Sequence, residues 1–488
     1  MAIRPVTRRQ LLRGGLLASG AAALAACGAT PTPQVIEKVI TQVVAGTPQV
    51  VKETVEVEKV VKETVVVQET APAAAGGGGA SINISFYADD LAQQAVWDGI
   101  FTAFMQDNPD IKVRPQQVLG EDYFEKLKVL MAGGVAPEVM EMESKQVPGF
   151  VVRKGMLDLQ PYVDKSNVIK RDDFIPYQWD KHVHAGGLWG VPFSVSTVVI
   201  FYNIAVFEKA GVKPPPTKWD APDWSFADFL ALAKSLTSGE GATAVFGYMQ
   251  TTWWPYMFPW LWSNGGDVLN QERTKCTLGT PESEEALQFL QDLINKDKVW
   301  PTPDQATEGM DTMFGSDRIG MTPRTVQNTS IMNATKGLRW NVAPMPKGRG
   351  KTALTRAPSD CYCVWSQAGA KDAAWKVVEW ITGPKGADLL LKGGYLMPAR
   401  KGVATADSLH KSIGETIDVD VLIDGTENHT GRQPVTVKWA EMGDALGSGY
   451  EGVLAGTKTP AEYAAETCAI IDPLMASIPA DQQGWLGD

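Results

Sequence analysis

From Ser81 to about residue 480, strand-like and helix-like apolar patterns alternate without a long interruption. INISFY (82–87) places Ile82, Ile84 and Phe86 on one face of a strand. Residues 92–106 repeat their apolar positions helically, at Val96, Ile100, Ala103 and Phe104. VMEM (139–142) reads as a second strand, and VVIFYN (198–203), rich in β-branched residues, as a buried one. Thr280-Pro281-Glu282 opens a helix, because threonine caps a free first-turn amide and proline suits a position whose amide has no partner. Its apolar stripe is Ala286, Leu287, Leu290, Leu293 and Ile294. Another helix carries Ala374, Val377, Val378 and Ile381 and stops at Gly383-Pro384. Such alternation predicts an α/β fold with mostly parallel sheets. One hydrophobic core does not grow to roughly 400 residues, so two lobes are expected.

Ahead of this body lies a segment of different character. Residues 1–15 are basic, with Arg4, Arg8, Arg9 and Arg13 and no acid, and an apolar run follows from Leu16 to Ala26. This is the pattern of an export signal, too short to span a membrane. Thr7 to Leu12 (TRRQLL) resembles a twin-arginine signal, and Leu24-Ala25-Ala26-Cys27 a bacterial lipobox, whose cysteine becomes the lipidated first residue. An ordinary cleaved signal with a chance cysteine is the alternative. Residues 28–80 repeat VVKETV at 50–55 and 60–65 and end in Gly76 to Gly79. The segment has no large apolar face to bury and reads as a flexible spacer holding the body off a membrane.

Charge and motifs exclude several classes of function. The net charge is −11, which disfavours nucleic acid and anionic lipid surfaces as partners. HExxH, GxSxG and GxxxxGK[ST] are absent. Of four histidines only His182 and His184 are close together, and KHVHAGG offers them no cysteine or carboxylate cluster, so they read as structural rather than as metal ligands. No catalytic, metal or cofactor site is expected. Cys276, Cys361, Cys363 and Cys468 remain after Cys27, and an exported chain permits disulfides. Cys361 and Cys363 share a strand face, a poor geometry for bridging each other, which leaves separate partners or free thiols open.

Five segments then carry a resemblance: MAGGVAPEVMEM (131–142), GGLWGVPFSVSTVVIFYNIAVFEKAGV (186–212), WSNGGDVLN (262–270), WNVAPMPKGRG (340–350) and DAAWKVVEWITGPKGADLLLKGGYLMPARK (372–401). In this order and spacing they resemble the carbohydrate-binding members of the bacterial extracellular solute-binding proteins, over about residues 81–480. The resemblance implies a type II periplasmic-binding-protein fold, with two α/β lobes joined by a hinge and a ligand cleft between them. Residues 81–195 and 350–397 would form the first lobe, and 198–348 and 400–488 the second. Crossings would fall near Ser194–Val198, Pro346–Lys351 and Leu396–Arg400. The implied role is a monomeric, non-enzymatic ABC-importer component, lipid-anchored through Cys27 on the outer face of the cytoplasmic membrane, that hands a sugar to membrane permease subunits.

A sugar presents flat C–H faces and a rim of hydroxyls, so its site needs aromatic platforms beside short polar side chains. By the same resemblance Trp253 and Trp254 fall at cleft positions, and Trp439 matches an aromatic that stacks on sugar. Trp439→Ala is therefore expected to weaken binding while leaving the unliganded melting temperature nearly unchanged. Trp260 and Trp262, beyond Pro259, are expected in the core. Tyr87, Asp89 and Asp90 follow the first strand, and Glu143 and Ser144 the second, at cleft positions. Arg324 and Asn328 lie in a ligand loop, and Asp360 starts a lobe-crossing sheet. Ser196 stands where maltose-binding members have a glutamate, which puts maltose itself in doubt. The alternatives are glycerol-3-phosphate, a polyol or a peptide on the same fold, and an exported carbohydrate-active enzyme. The last would need a facing carboxylate pair.

Overall fold

Ile82 and Ile84 are fully buried and Phe86 nearly so, as the alternation of INISFY requires. The structure, a computed structural model, describes residues 35–44, 47–56, 79–88, 91–118, 123–394 and 396–483. It divides into two units, residues 1–76 and 77–488. In the first, Val35–Val44 and Thr47–Glu56 pair as an antiparallel hairpin within the segment read as a spacer. The export signal, Cys27, Asp89 and Asp90 lie outside the described residues.

Among the described residues of the second unit, besides a two-residue ribbon, ten strands run in chain order: β1 Ala80–Tyr87, β2 Ile111–Val118, β3 Val139–Glu143, β4 Val191–Val195, β5 Val199–Asn203, β6 Phe246–Tyr248, β7 Ile319–Arg324, β8 Trp340–Ala343, β9 Ser359–Val364 and β10 Met397–Pro398. The first lobe's sheet has the order β10-β4-β9-β3-β1-β2, and the second lobe's β6-β7-β5-β8. Each sheet backs onto its own core. Trp97, Phe101, Phe193 and Tyr362 fill the first, and Phe201, Phe229, Trp260, Leu290 and Met442 the second.

The sheets are mixed, which corrects the expectation of mostly parallel pairing. Only β1/β2, β1/β3 and β6/β7 are parallel. Every antiparallel pair involves β9, β10 or β5. These are strands that reach their sheet next to a passage between lobes, so they run against the direction set by the local strand–helix–strand units.

At the hinge, the Ser196 amide donates to the Pro358 carbonyl (2.8 Å) and Val198 to Arg356 (2.9 Å). A third segment joins them, where Thr355 donates to the His429 carbonyl and Gly431 to Thr355, both at 2.7 Å. One crossing thus runs through Arg356–Pro358, several residues beyond Pro346–Lys351. That earlier segment is pinned inside the second lobe: Lys347 donates to the Trp224 carbonyl, and Gly348 and Gly350 to Ser263, each at 3.0 Å. A side chain on Gly350 would sit 2.6 Å from the Ser263 carbonyl oxygen, so glycine permits that approach. Near the other crossing, Met397 pairs with Val195 and the Ala399 amide donates to Phe193 (3.1 Å).

Thr280 caps the helix Pro281–Asn295, accepting from Ser283, and the predicted stripe is buried. Cys276 and Cys468 form a disulfide that ties this region to the helix Pro460–Ala476. Cys361 and Cys363 remain buried thiols.

Candidate functional site

A cavity of about 550 Å³ opens between the two lobes, within the size range of small-molecule sites. Its first-lobe wall is polar. In the antiparallel pair of β3 and β9, Asp360 stands opposite Glu143 and Tyr362 opposite Glu141. Glu141 and Glu143 are two residues apart on one strand, so they share a face and both line the cavity with Asp360. Each is held. The Tyr87 amide donates to Glu141 Oε2 (2.8 Å), and the Ser194 hydroxyl to Asp360 Oδ2 (3.3 Å). Lys145 Nζ lies 2.8 Å from Glu143 Oε2. The Tyr123 hydroxyl donates to the Glu141 carbonyl (3.1 Å).

Three carboxyls in so small a space do not all ionise freely. Burial, reinforced by the charge of Glu143, pushes the Asp360 carboxyl up to about 7, although Lys145, Ser194 and Arg356 oppose the shift. Burial and the neighbouring Asp360 push Glu141 well above the usual carboxylate range.

The second-lobe wall is aromatic. Trp253 precedes the 3-10 turn Trp254–Met257 and is 40% exposed. Trp254 lies against the helix Trp439–Gly447, its ring centroid 5.5 Å from that of Trp439. Gly443 and Gly447 provide the bed, since a β-carbon at either would come 3.3 Å from the Trp254 indole. Across the cleft, Lys145 Nζ sits 5.2 Å from the Trp253 ring centroid and 5.6 Å from that of Trp439, in cation–π range. The Arg356 guanidinium, on the crossing segment Arg356–Pro358, lies 5.1 Å from the Trp253 centroid and donates through Nε to Gln433 Oε1 (2.9 Å).

The cavity brings together Tyr87, Glu143, Trp253, Trp254, Asp360 and Trp439 from the sequence reading. Four other residues are placed differently. Ser144 is buried behind the wall, its amide donating to the Ser359 carbonyl (3.1 Å). Ser196 is buried in the hinge. Arg324 is buried and paired with Asp311. Asn328 turns back to accept from the Thr325 amide (3.2 Å), and its neighbour Gln327 faces the cavity instead. Trp439 also departs from expectation. It lines the cavity yet is only 6% exposed and belongs to the second lobe's core, so its removal must cost stability.

Sequence reasoning missed Glu141, Lys145, Gln327, Asp444 and the hinge Arg356. Only Glu141 carried a signal, the two-residue spacing to Glu143 in VMEME. Trp260 and Trp262 are core, as read: Trp260 donates to Gln250 Oε1 (3.0 Å), and Trp262 stacks on Phe258 with centroids 4.7 Å apart. His182 is buried with Nδ1 2.9 Å from the Gln178 carbonyl, and burial lowers its pKa to about 3. Among the described residues no group of metal-ligating side chains converges, and no helix is long and apolar enough to cross a membrane.

Two mixed sheets, chain segments that cross between the lobes and a cleft lined from both sides define a two-lobed fold of the type II periplasmic-binding-protein class. The bacterial extracellular solute-binding protein family matches residues 88–388, and the chain belongs to that family. A binding protein of Brucella abortus is 23% identical over 381 residues, covering 76% of this chain and 88% of the relative. An arabinooligosaccharide-binding protein of Halalkalibacterium halodurans is 28% identical over 194 residues, 38% of this chain and 41% of the relative. Among solved structures, an ABC substrate-binding protein of Listeria monocytogenes in complex with cycloalternan superposes with a TM-score of 0.72. It is 24% identical and covers 82% of this chain and 99% of its own.

Proposed function

We propose that the chain is the extracellular solute-binding component of an ABC importer and that it captures a sugar or oligosaccharide between its lobes. The observation that carries this reading is the opposition of two walls: Glu141, Glu143 and Asp360 face Trp253, Trp254 and Trp439 across one cavity. Indole faces take the C–H faces of a pyranose, and carboxyls take hydroxyl protons. The sugar ligands of similar proteins point the same way. The acidic wall opposes a phosphate ligand, because an anion would add to the burial and mutual repulsion that already raise the Glu141 and Asp360 carboxyls above the usual carboxylate range.

In this reading residues 81–195 and 350–397 belong chiefly to one lobe and 198–348 and 400–488 to the other, and they close on the ligand about the hinge. Cys27 carries the lipid that tethers a monomeric body to the outer face of the membrane. Capture proceeds without turnover, and the loaded protein docks on membrane permease subunits.

A thermal-shift panel of mono- and oligosaccharides, glycerol-3-phosphate and short peptides tests the assignment. A matching sugar at a hundred times its Kd stabilises the folded state by about 2.7 kcal/mol. A shift with glycerol-3-phosphate or a peptide and with no sugar refutes it.

A further inference from the structure

A second, smaller cavity of about 220 Å³ lies behind the main one. The two share Lys145, Gln146, Trp439 and Ala440 in their linings, so these residues form the partition between them. Alone, the second cavity falls below the size of an ordinary ligand site. Joined to the first, it lengthens the cleft.

Of these four, Trp439 is fixed and Lys145 is movable. Trp439 is 6% exposed and built into the second lobe's core. Lys145 belongs to the first lobe and reaches across on a flexible four-carbon stem, held by Glu143 and by the faces of Trp253 and Trp439. Those indole faces are the platforms a sugar ring needs. A ligand stacking there competes with the ammonium for the same surface. When Lys145 gives way, the second cavity becomes continuous with the first.

The lining of that cavity suits a neutral polyhydroxyl chain. Phe150 and Val437 supply apolar surface. Its charged members are already engaged: Lys128 with Glu125 (2.6 Å), Glu441 with Lys438 (3.1 Å), and Arg153 with the Gly149 carbonyl.

We infer that Lys145 is a displaceable partition and that the second cavity is a further subsite for the end of a linear oligosaccharide, which makes Lys145 a determinant of ligand chain length. The inference rests on the sugar reading above. Calorimetric titration of the purified protein with malto- and arabino-oligosaccharides of two to seven units tests it. In the wild type, affinity rises with chain length. Lys145→Met keeps the stem and loses the ammonium. It tightens binding of the longest chains about tenfold more than that of the shortest, the scale of the cation–π and ion-pair contacts removed. Gly149→Leu fills the second cavity and abolishes the gain with length while leaving the shortest binder within about twofold. Gly149→Ala, whose methyl meets nothing nearer than 3.4 Å, acts in the same direction with a smaller effect.

Equal weakening of short and long chains by Lys145→Met overturns the inference, since Lys145 is then an ordinary donor to the sugar. So does an undiminished length dependence in both Gly149 variants. A flat length dependence in the wild type overturns the inference alone, whereas binding of neither series overturns it together with the sugar reading.

Discussion

The two walls of the cleft are built on opposite principles. The first-lobe wall stands at the ends of β3 and β9, where pairing fixes Asp360 opposite Glu143 and a two-residue step sets Glu141 beside Glu143. Such groups are aimed by the sheet itself, which suits hydroxyl recognition, where direction decides. The second-lobe wall stands on a 3-10 turn and the first turn of a helix. Its rings take their places from what lies behind them, the glycine bed under Trp254 and the core around Trp439. Stacking tolerates small displacements better than hydrogen bonding does, so a less regular backbone suffices. In the proposed function the first wall therefore selects a ligand, while the second supplies most of the contact surface.

The comparison can be broken most forcefully at Trp439. Trp439→Ala is expected to cost about 3–5 kcal/mol of stability in urea unfolding, as a buried tryptophan does, and to lose sugar affinity as well. Trp260→Ala should cost a similar stability without touching the ligand surface, because that ring is wholly core. If Trp439→Ala left stability unchanged, the second wall would be separable from its core. Trp253, 40% exposed, is the opposite case. Trp253→Ala should lower affinity about ten- to a hundredfold, the worth of one ring's apolar contact, with stability within about 0.5 kcal/mol of wild type.

The polar wall is sharpened by pH. Burial raises the folded pKa of Asp360 to about 7, well above its ordinary value in the unfolded chain, so its favourable contribution is complete below the unfolded value and is lost as pH rises toward 7. Asp360→Asn cannot titrate there. Its stability relative to wild type should climb by up to about 1.4 kcal/mol per pH unit between pH 4 and 7 and level off above. Chemical denaturation across that range measures it, and a constant difference would show that the wall does not strain this carboxyl. The smallest effect is expected at Gly443→Ala. Its methyl meets Trp254 at 3.3 Å and should shift the ring by a few tenths of an ångström, costing less than about threefold in affinity by calorimetry.

Legibility in the sequence followed the same division. Residues at strand ends were found from pattern and resemblance, because a strand's direction places its terminal side chains: Tyr87 and Glu143 close their strands, Asp360 stands at the start of β9, and all three line the cavity. The split of the tryptophan stretch at Pro259 was also legible, since a helix ahead of an Asn-Gly-Gly turn must bury Trp260 and Trp262. Lys145 and Arg356 were not legible. Each meets the Trp253 ring from about a hundred residues away along the chain, a juxtaposition that no local pattern encodes. In the loop after β7, Asn328 closes its own turn and Gln327 faces the cavity, a difference of one position that the sequence does not encode. The sheet direction was misread because strands bordering a lobe crossing look like any others in sequence, yet run the other way.

The central claim, that one acidic and one aromatic wall together hold a sugar, is tested most directly by tryptophan fluorescence. Trp253 and Trp254 line the cleft, so a bound pyranose must alter their emission. Titration with linear oligosaccharides is predicted to give a saturable change that Trp253→Ala weakens by ten- to a hundredfold in apparent Kd. A saturable change of unaltered Kd in Trp253→Ala, or none with any sugar while glycerol-3-phosphate or a peptide produces one, would contradict the account.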